Sequence, residues 1–188
     1  MEEALGFFIG IGLSATCGFR IFVPLFGMSI AHHAGALSFS CGFDWIGSWP
    51  ATIAFGIAMV IEIAGYYIPW VDNLLDTIAT PAAIVAGTIA TASMVGDVSP
   101  FLRWSLAIIA GGGIAGLIQG SSVLVRGVST ASTAGLANPV VSTGELIASL
   151  AGTVISIILP TLAIVLVVLL LTYSLRLILK PASPPAST

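Results

Sequence analysis

The feature that most constrains this chain is the length of its charge-free apolar segments. Residues 146–175 contain no Asp, Glu, Lys or Arg. A helix of that length, at about 1.5 Å per residue, is about 45 Å long, whereas the bilayer core is roughly 30 Å thick. Only 7% of the 188 residues are charged and 57% are hydrophobic, whereas a soluble domain has about 25% charged residues. The composition excludes a soluble domain and predicts a membrane protein.

Five apolar segments are long enough to cross a bilayer, at about 4–31, 51–70, 73–95, 100–125 and 142–178. Asp72 is a candidate N-cap of the third segment, and Pro100 suits the first turn of the fourth. The intervening stretch from Arg126 to Thr143 is polar and rich in small residues, which predicts a loop or a re-entrant piece. We therefore predict an all-α, polytopic transmembrane bundle of about five spans within residues 1–180, followed by a disordered tail at 181–188.

The last apolar segment has two interpretations. It is either one helix that is tilted or kinked at Pro160, or two spans separated there. Arg176 and Lys180 flank its C-terminal end, and basic residues concentrate in cytoplasmic loops. Five spans then give a cytoplasmic C-terminus and an external N-terminus, with Arg103 also inside. The chain begins Met-Glu-Glu, unlike the basic start of a secretory signal, so the first span is expected to be retained.

Two segments share small residues at four-residue spacing followed by an arginine. Residues 4–20 and 110–126 align so that Arg20 meets Arg126. Small residues let membrane helices approach closely, which predicts helix-packing positions at Gly6, Gly10, Ser14, Gly112, Gly116 and Gly120. The two copies open the first and fourth spans and would cross the membrane in opposite directions, which predicts an inverted-topology repeat. The alternative is a chance likeness between glycine-rich helices.

Ionisable residues within the spans form the candidate functional centre. An ionised group at the middle of a lipid-facing helix costs about 3 kcal/mol or more, so such groups normally face protein or water and pair. Arg20 lies inside the first span, and its expected partner is Glu62 on the second. The expected lining of a pathway for an ion or small polar solute is Arg20, Glu62, Asp72, Asp76, Arg126, Glu145 and Asn138, with hydroxyls between Ser129 and Thr143 contributing.

Most of these residues also have a purely structural interpretation. Ser142 and Glu145 have the spacing of a capping box, so Glu145 would only cap a helix. Arg126 would extend to the membrane interface. Arg20 and Glu62 would form an ion pair that fixes helix register. Asp76 lies inside the third span, where no capping role suits it.

Other chemical signals in the chain are weak. Gly111, Gly113 and Gly116 match a dinucleotide-binding pattern but lack the surrounding α/β unit and the following acid. The spacing of His32, His33, Cys41 and Asp44 fits no strong zinc pattern. Cys17 falls in a helix and Cys41 in a loop, which disfavours a disulfide. The net charge of −3 gives no nucleic-acid footprint. We expect no metal, cofactor or nucleic acid, and no catalytic motif is present.

The chain resembles a widespread family of small bacterial membrane proteins catalogued as domain of unknown function 4126. The resemblance is carried by SATCGFRIFVPL, IPWVDNLLDTIATPAA, IIAGGG and STASTAGLANP. The D-N-x-L-D-T-x-x-T-P-A stretch is its most specific part. The resemblance covers nearly the whole chain and implies a multi-pass protein of the bacterial cytoplasmic (inner) membrane. It implies no activity.

Two functions from different classes are compatible with these residues. The first is a small transporter or channel for an ion or small solute with a buried charged centre, with proton coupling through Glu62 or Asp76. The second is a non-transporting scaffold or lipid-binding subunit held by helix packing. An enzyme is not expected because no motif supports one. The small-residue faces predict a homo-oligomer in contact with the lipid bilayer.

Overall fold

The computed structural model describes residues 2–68, 71–96 and 98–179. Within them the protein is all-helical, which confirms the predicted fold class. The helices are α1 (Glu2–Cys17), α2 (Phe22–His33), α3 (Trp49–Gly65), α4 (Val71–Met94), α5 (Pro100–Leu106), α6 (Gly113–Thr133), α7 (Asn138–Ile158) and α8 (Pro160–Leu179). A π-helical segment, Ala107–Gly112, joins α5 and α6 into one continuous helix. The predicted tail at 181–188 lies outside the described residues.

Four helices in the described part are long and apolar enough to cross a membrane. They are Leu74–Met94, Pro100–Thr133, Asn138–Ile158 and Pro160–Leu177. Ala4–Cys17 and Trp49–Gly65 are shorter apolar helices. An α-helix satisfies its own backbone hydrogen bonds, which is why such segments tolerate the bilayer core. The membrane-type bundle agrees with the sequence, but the segment boundaries differ from the predicted five spans.

The first predicted span, 4–31, is two helices rather than one. Helix α1 ends at Cys17 and α2 begins at Phe22. Pro24 has no N–H, and in a continuous helix its ring would clash with the carbonyl of Arg20, four residues earlier. The chain therefore breaks at Arg20, inside the bundle.

The last predicted span, 142–178, is also two helices. Pro160 cannot continue a helix, and the residue before a proline is driven out of the helical region. Leu159 accordingly has φ −131° and ψ 65°. Helix α8 then folds back along α7, because Glu145 near the start of α7 lines the same pocket as Ser174 and Leu177 near the end of α8. The alternative of two spans separated at Pro160 is correct.

The polar stretch after Arg126 is helical, which corrects the predicted loop. Helix α6 continues to Thr133 and α7 begins at Asn138, with a turn between them in which Ala134 and Gly135 have positive φ. The Thr133 hydroxyl donates to the Ser129 carbonyl at 2.7 Å, within the same helix. Hydroxyls bonded in this way remain compatible with a helix in an apolar environment.

Helix α4 is packed antiparallel to α1. A Cβ added to Gly6 would lie 2.5 Å from the Met94 carbonyl oxygen, and a Cβ on Gly87 would lie 2.6 Å from the Ser14 hydroxyl. The residue numbers rise on one helix as they fall on the other. Close approach of small residues therefore joins these two helices along their length.

Helix α4 is packed antiparallel to the α5–α6 helix as well. A Cβ on Gly116 would lie 3.0 Å from the Ile84 side chain, and a Cβ on Gly111 would meet Thr91. Both glycine-rich segments thus run antiparallel to α4 and parallel to each other. An inverted repeat requires opposite directions, so that prediction is wrong. The cause is the break in the first predicted span, which adds one more reversal of the chain between the two segments.

The bundle has two distinct ends. The loop end contains residues 34–48, where Ser40 donates to the carbonyls of Ser93 and Val95 and Arg103 lies against Cys41. The opposite end contains the α6–α7 turn and the end of α8, which carries Arg176. Arg103 and Arg176 therefore lie at opposite ends, which corrects their predicted placement on one side.

Exposed aromatic side chains lie at the loop end, as is typical of a membrane interface. Trp45, Trp49, Phe101 and Trp104 are all exposed there. Tryptophan concentrates at the boundary between hydrocarbon and water because its ring is apolar and its N–H is polar.

Candidate functional site: a buried charged centre

Arg20 lies in the break between α1 and α2 and is almost fully buried, at 1% exposure. Its Nη2 donates to the Ser142 carbonyl at 2.9 Å and to the Ser142 hydroxyl at 2.5 Å. The same nitrogen lies 3.5 Å from Glu145 Oε2. Because α7 begins at Asn138, Ser142 and Glu145 lie inside the helix. They contact Arg20 rather than forming the predicted capping box.

Glu62 does not form the predicted ion pair with Arg20. Its two carboxylate oxygens accept the backbone N–H groups of Ile21 and Phe22, at 2.8 and 3.0 Å. These N–H groups lie at the start of α2, where a helix has no internal acceptors for them. Glu62 thus caps α2 from a neighbouring helix, and a negative charge at a helix N-terminus is also favoured by the helix dipole.

Arg126 connects α6 to α4 and α7. Its Nε donates to Glu145 Oε1 at 3.2 Å, and its Nη2 donates to Glu145 Oε2. Its Nη1 donates to Asp76 at 2.8 Å. The Ser122 hydroxyl donates to Glu145 Oε1. The arginine is buried and bidentate, so it does not extend to the interface as the structural interpretation expected.

Tyr66 is a member of this centre that the sequence analysis missed. It is buried at the end of α3, and the guanidinium carbons of Arg20 and Arg126 lie 3.9 and 4.0 Å from its ring centroid. Arginine favours such stacking on aromatic rings. A tyrosine at the end of an apolar helix also suits the membrane interface, so the position of Tyr66 along the chain carries no specific signal for a charged centre.

The remaining predicted site residues lie at different distances from the centre. Asn138 lies toward the end of the bundle, where its amide nitrogen donates to Thr130 at 3.0 Å. Asp72 belongs to the first turn of α4, and its side chain lies outside the described residues. The structure therefore brings together five of the predicted pathway residues, which are Arg20, Glu62, Asp76, Arg126 and Glu145.

The predicted packing residues differ in their surroundings. Gly10 and Gly6 face α4 closely, and Ser14 donates to the Gly111 carbonyl. Gly112 and Gly116 face α4 from the other side, with Ile84 next to both. A Cβ on Gly120 would meet nothing within 4 Å among the described residues.

Four buried donor atoms next to this centre or along α6 have no hydrogen-bond partner within the described part of the chain. They are Arg20 Nε, Arg20 Nη1, Gln119 Nε2 and Ser129 Oγ. Gln119, Ser122, Arg126 and Ser129 follow one another at helical spacing on the buried face of α6. A buried polar group without a partner is costly, so these donors indicate a place for an acceptor such as water or a solute oxygen.

A pocket of about 230 Å³ adjoins the centre on the α8 side. Glu145 and Ser122 line it together with the hydroxyl-bearing Ser121 and Ser174, and its remaining lining is mostly apolar. It shares Phe19 and other residues with a larger apolar pocket of about 470 Å³ between α1, α7 and α8. Glu145 therefore has open space on one side and two arginines on the other.

The weak metal candidates of the loop end have other contacts. His32 stacks on Phe39, and His33 stacks on Trp49 and bonds Thr52. Among the described residues no group of three or more His, Cys, Asp or Glu side chains is arranged to hold a metal ion.

The fold and the buried centre define a helical membrane protein with ionisable groups inside its bundle. The chain belongs to the family described as Domain of unknown function (DUF4126), whose profile matches residues 7–180. This confirms the resemblance noted from the sequence. No curated protein and no solved structure matches the chain.

Proposed function

We propose that this protein is a small transporter or channel for an ion or small polar solute. The observation that carries the proposal is the charged centre at the break between α1 and α2. Two arginines and three carboxylates, one from the break itself and four from separate helices, meet there in a chain with only 7% charged residues. Ionised groups within a membrane bundle commonly line ion or solute pathways because their cost must be offset by a function or a partner.

The backbone around Arg20 supports the same function. Helices α1 and α2 are both short and meet inside the bundle. The start of α1 and the end of α2 both lie at the loop end. Irregular backbone is tolerated in a membrane only where it is buried in protein or lines a cavity. Discontinuous helices of this kind form the binding sites of many transporters. The two halves form a re-entrant hairpin whose tip carries Arg20.

A non-transporting scaffold or lipid-binding subunit is the second candidate. The observation in its favour is that Glu62 has backbone partners and Glu145 has arginine and serine partners. Such a network would hold the helices in register. The four buried donors that have no hydrogen-bond partner in the described part of the chain weigh against a purely structural network.

Flux measurements test the proposal. The purified protein is reconstituted into liposomes that are loaded with proton- and potassium-sensitive dyes, and the flux of the wild type is compared with that of Asp76→Asn and Glu62→Gln. We expect the flux through both variants to be lower than the flux through the wild type. Folded variants with unchanged flux would show that Asp76 and Glu62 are not part of the pathway. A folded wild type that conducts none of a broad panel of solutes would favour the scaffold function.

The setting we propose is the bacterial cytoplasmic (inner) membrane, with the C-terminus in the cytoplasm. Arg176 supports this orientation because basic residues are retained on the cytoplasmic side. The charged centre then lies nearer the cytoplasmic face, and the tryptophan-bearing loop end faces outward. We also propose a homo-oligomer and no enzymatic activity.

A further inference from the structure

Glu145 contacts the two arginines of the centre in the manner of a bound carboxylate ligand. Its oxygens accept from Arg126 Nε and Nη2, the bidentate geometry by which arginine recognises planar carboxylates. Oε2 also lies 3.5 Å from Arg20 Nη2. Arg20 retains two buried donors without a partner among the described residues. A second carboxylate placed here would find donors that Glu145 does not use.

The pocket beside Glu145 provides space for this side chain to move away. Its volume is about 230 Å³, and Ser122, which now donates to Glu145, lines it as well. Most of the other lining residues are apolar, including Phe19 and Leu170. An ionised carboxylate in such surroundings pays a large desolvation cost, whereas a neutral carboxylic acid pays far less. Glu145 is therefore expected to enter the pocket only in its protonated form.

We infer that Glu145 is a tethered stand-in for a small carboxylate anion, which displaces it from Arg126 and Arg20 together with uptake of one proton. This inference rests on the proposed transport function and specifies its substrate class. The proton is supplied by the buffered solution and binds one Glu145 oxygen, while the anion takes the vacated arginine donors. One negative and one positive charge enter, so the net charge of the site is unchanged.

Charged and titratable groups face Glu145 from every side of the site. They are Arg20 from the α1–α2 break, Arg126 from α6, Tyr66 and Glu62 from α3, Asp76 from α4 through Arg126, and Tyr173 from α8 across the pocket. The site already holds more carboxylates than arginines. A further anion would therefore be repelled unless one carboxylate were neutralised.

Calorimetric titration of acetate into purified protein tests the inference. Between pH 6 and 8 the wild type should bind acetate about tenfold more weakly for each unit rise in pH, as one linked proton requires. Titrations in two buffers of different ionisation enthalpy should show one proton taken up per acetate. Glu145→Gln should bind acetate more tightly and without this pH dependence. Asp44→Asn, which likewise replaces a carboxylate by a carboxamide at an exposed position of the short 3-10 helix Asp44–Gly47, should behave as the wild type.

The combined binding and flux results show whether the carboxylate inference, the transport proposal or both are wrong. Acetate binding without proton uptake, or an unchanged pH slope in Glu145→Gln, overturns the inference. If Glu145→Gln is not recovered as folded protein, the wild-type proton count in two buffers decides alone. Flux of another solute in liposomes without acetate binding overturns the inference and leaves the transport proposal standing. Absence of both flux and binding overturns both.

Discussion

At the scale of residues, the centre is a set of charges that depend on one another. Glu145 contacts Arg126, Arg20 and Ser122, and Arg126 also contacts Asp76. Removing one member of a buried ion network is much more costly than its net contribution, because the remaining charges keep their desolvation cost without the matching attraction. Substitutions here should therefore affect stability strongly.

Replacing Arg126 by Gln should destabilise the protein by about 3–5 kcal/mol, since it removes the cation that both Glu145 and Asp76 contact. Arg176→Gln removes the same charge from an exposed position on α8 and should change stability by no more than about 0.5 kcal/mol. Thermal unfolding followed by fluorescence-detected size exclusion measures both. Equal midpoints for the two variants would show that the Arg126 contacts do not stabilise the fold.

Replacing Glu62 by Gln should loosen the start of α2. A carboxamide has one acceptor oxygen, so only one of the Ile21 and Phe22 N–H groups keeps its partner. Hydrogen–deuterium exchange should then rise in peptides covering residues 18–24 and stay unchanged in α6. Asp44→Asn serves as the matched control. Unaltered exchange at residues 18–24 would contradict the capping role of Glu62.

At the scale of elements, two prolines decide where the apolar segments end. Pro24 and Pro160 each convert a predicted single span into a pair of helices. The first pair meets inside the bundle and carries Arg20 at the break. The second pair folds into a hairpin that places Glu145 next to the pocket. Helix α4 contacts both α1 and the α5–α6 helix through small residues, and α1 also contacts the α5–α6 helix directly through Ser14.

Adding a methyl group at Gly6 should weaken the α1–α4 contact. The new Cβ would lie 2.5 Å from the Met94 carbonyl oxygen, so the backbone must shift, and overpacking of this kind costs about 1–3 kcal/mol. Gly120→Ala adds the same methyl where nothing described lies within 4 Å and should be neutral or stabilising by up to about 1 kcal/mol. Unfolding midpoints in detergent distinguish the two. A destabilised Gly120→Ala with an unaffected Gly6→Ala would contradict this packing.

At the scale of the whole molecule, successive helices alternate in direction along the bundle, with α1 and α2 meeting inside it. The start of α1 lies at the loop end and the end of α8 at the other. The exposed Cys41 and the α6–α7 turn therefore lie at opposite ends of the bundle, and we expect them on different sides of the membrane. The charged centre lies about two helical turns into the bundle from the α6–α7 connection. Arg126 is seven residues before the end of α6, and Glu145 is seven residues after the start of α7.

Cysteine labelling tests this arrangement. Cys41 is exposed and Cys17 is buried, so an impermeant maleimide should label the wild type from one side only, at Cys41. In a Cys41→Ser background, Leu136→Cys, at a highly exposed turn position, should be labelled from the other side. Vesicles of known orientation provide the measurement. Labelling of both positions from the same side would overturn the alternating topology.

The sequence predicted the members of the charged centre better than their contacts. Arg20, Glu62, Asp76, Arg126 and Glu145 were each identified from their charge in an apolar context. The Arg20–Glu62 pair was wrong because Glu62 meets the backbone of Ile21 and Phe22 instead. Two clues were available in the chain: Pro24 marks a helix break, and a break exposes N–H groups that a carboxylate can cap.

The sequence by itself determined that this protein is helical and lies in a membrane, because the cost of burying charge and the length of apolar runs are properties of composition and spacing. It also determined which ionisable groups must be shielded from lipid. Only the tertiary structure decided that Arg20 meets Ser142 and Glu145, far away in the chain. Partners of buried charges depend on where helices break and cross, and that is decided by packing between distant segments rather than by local pattern.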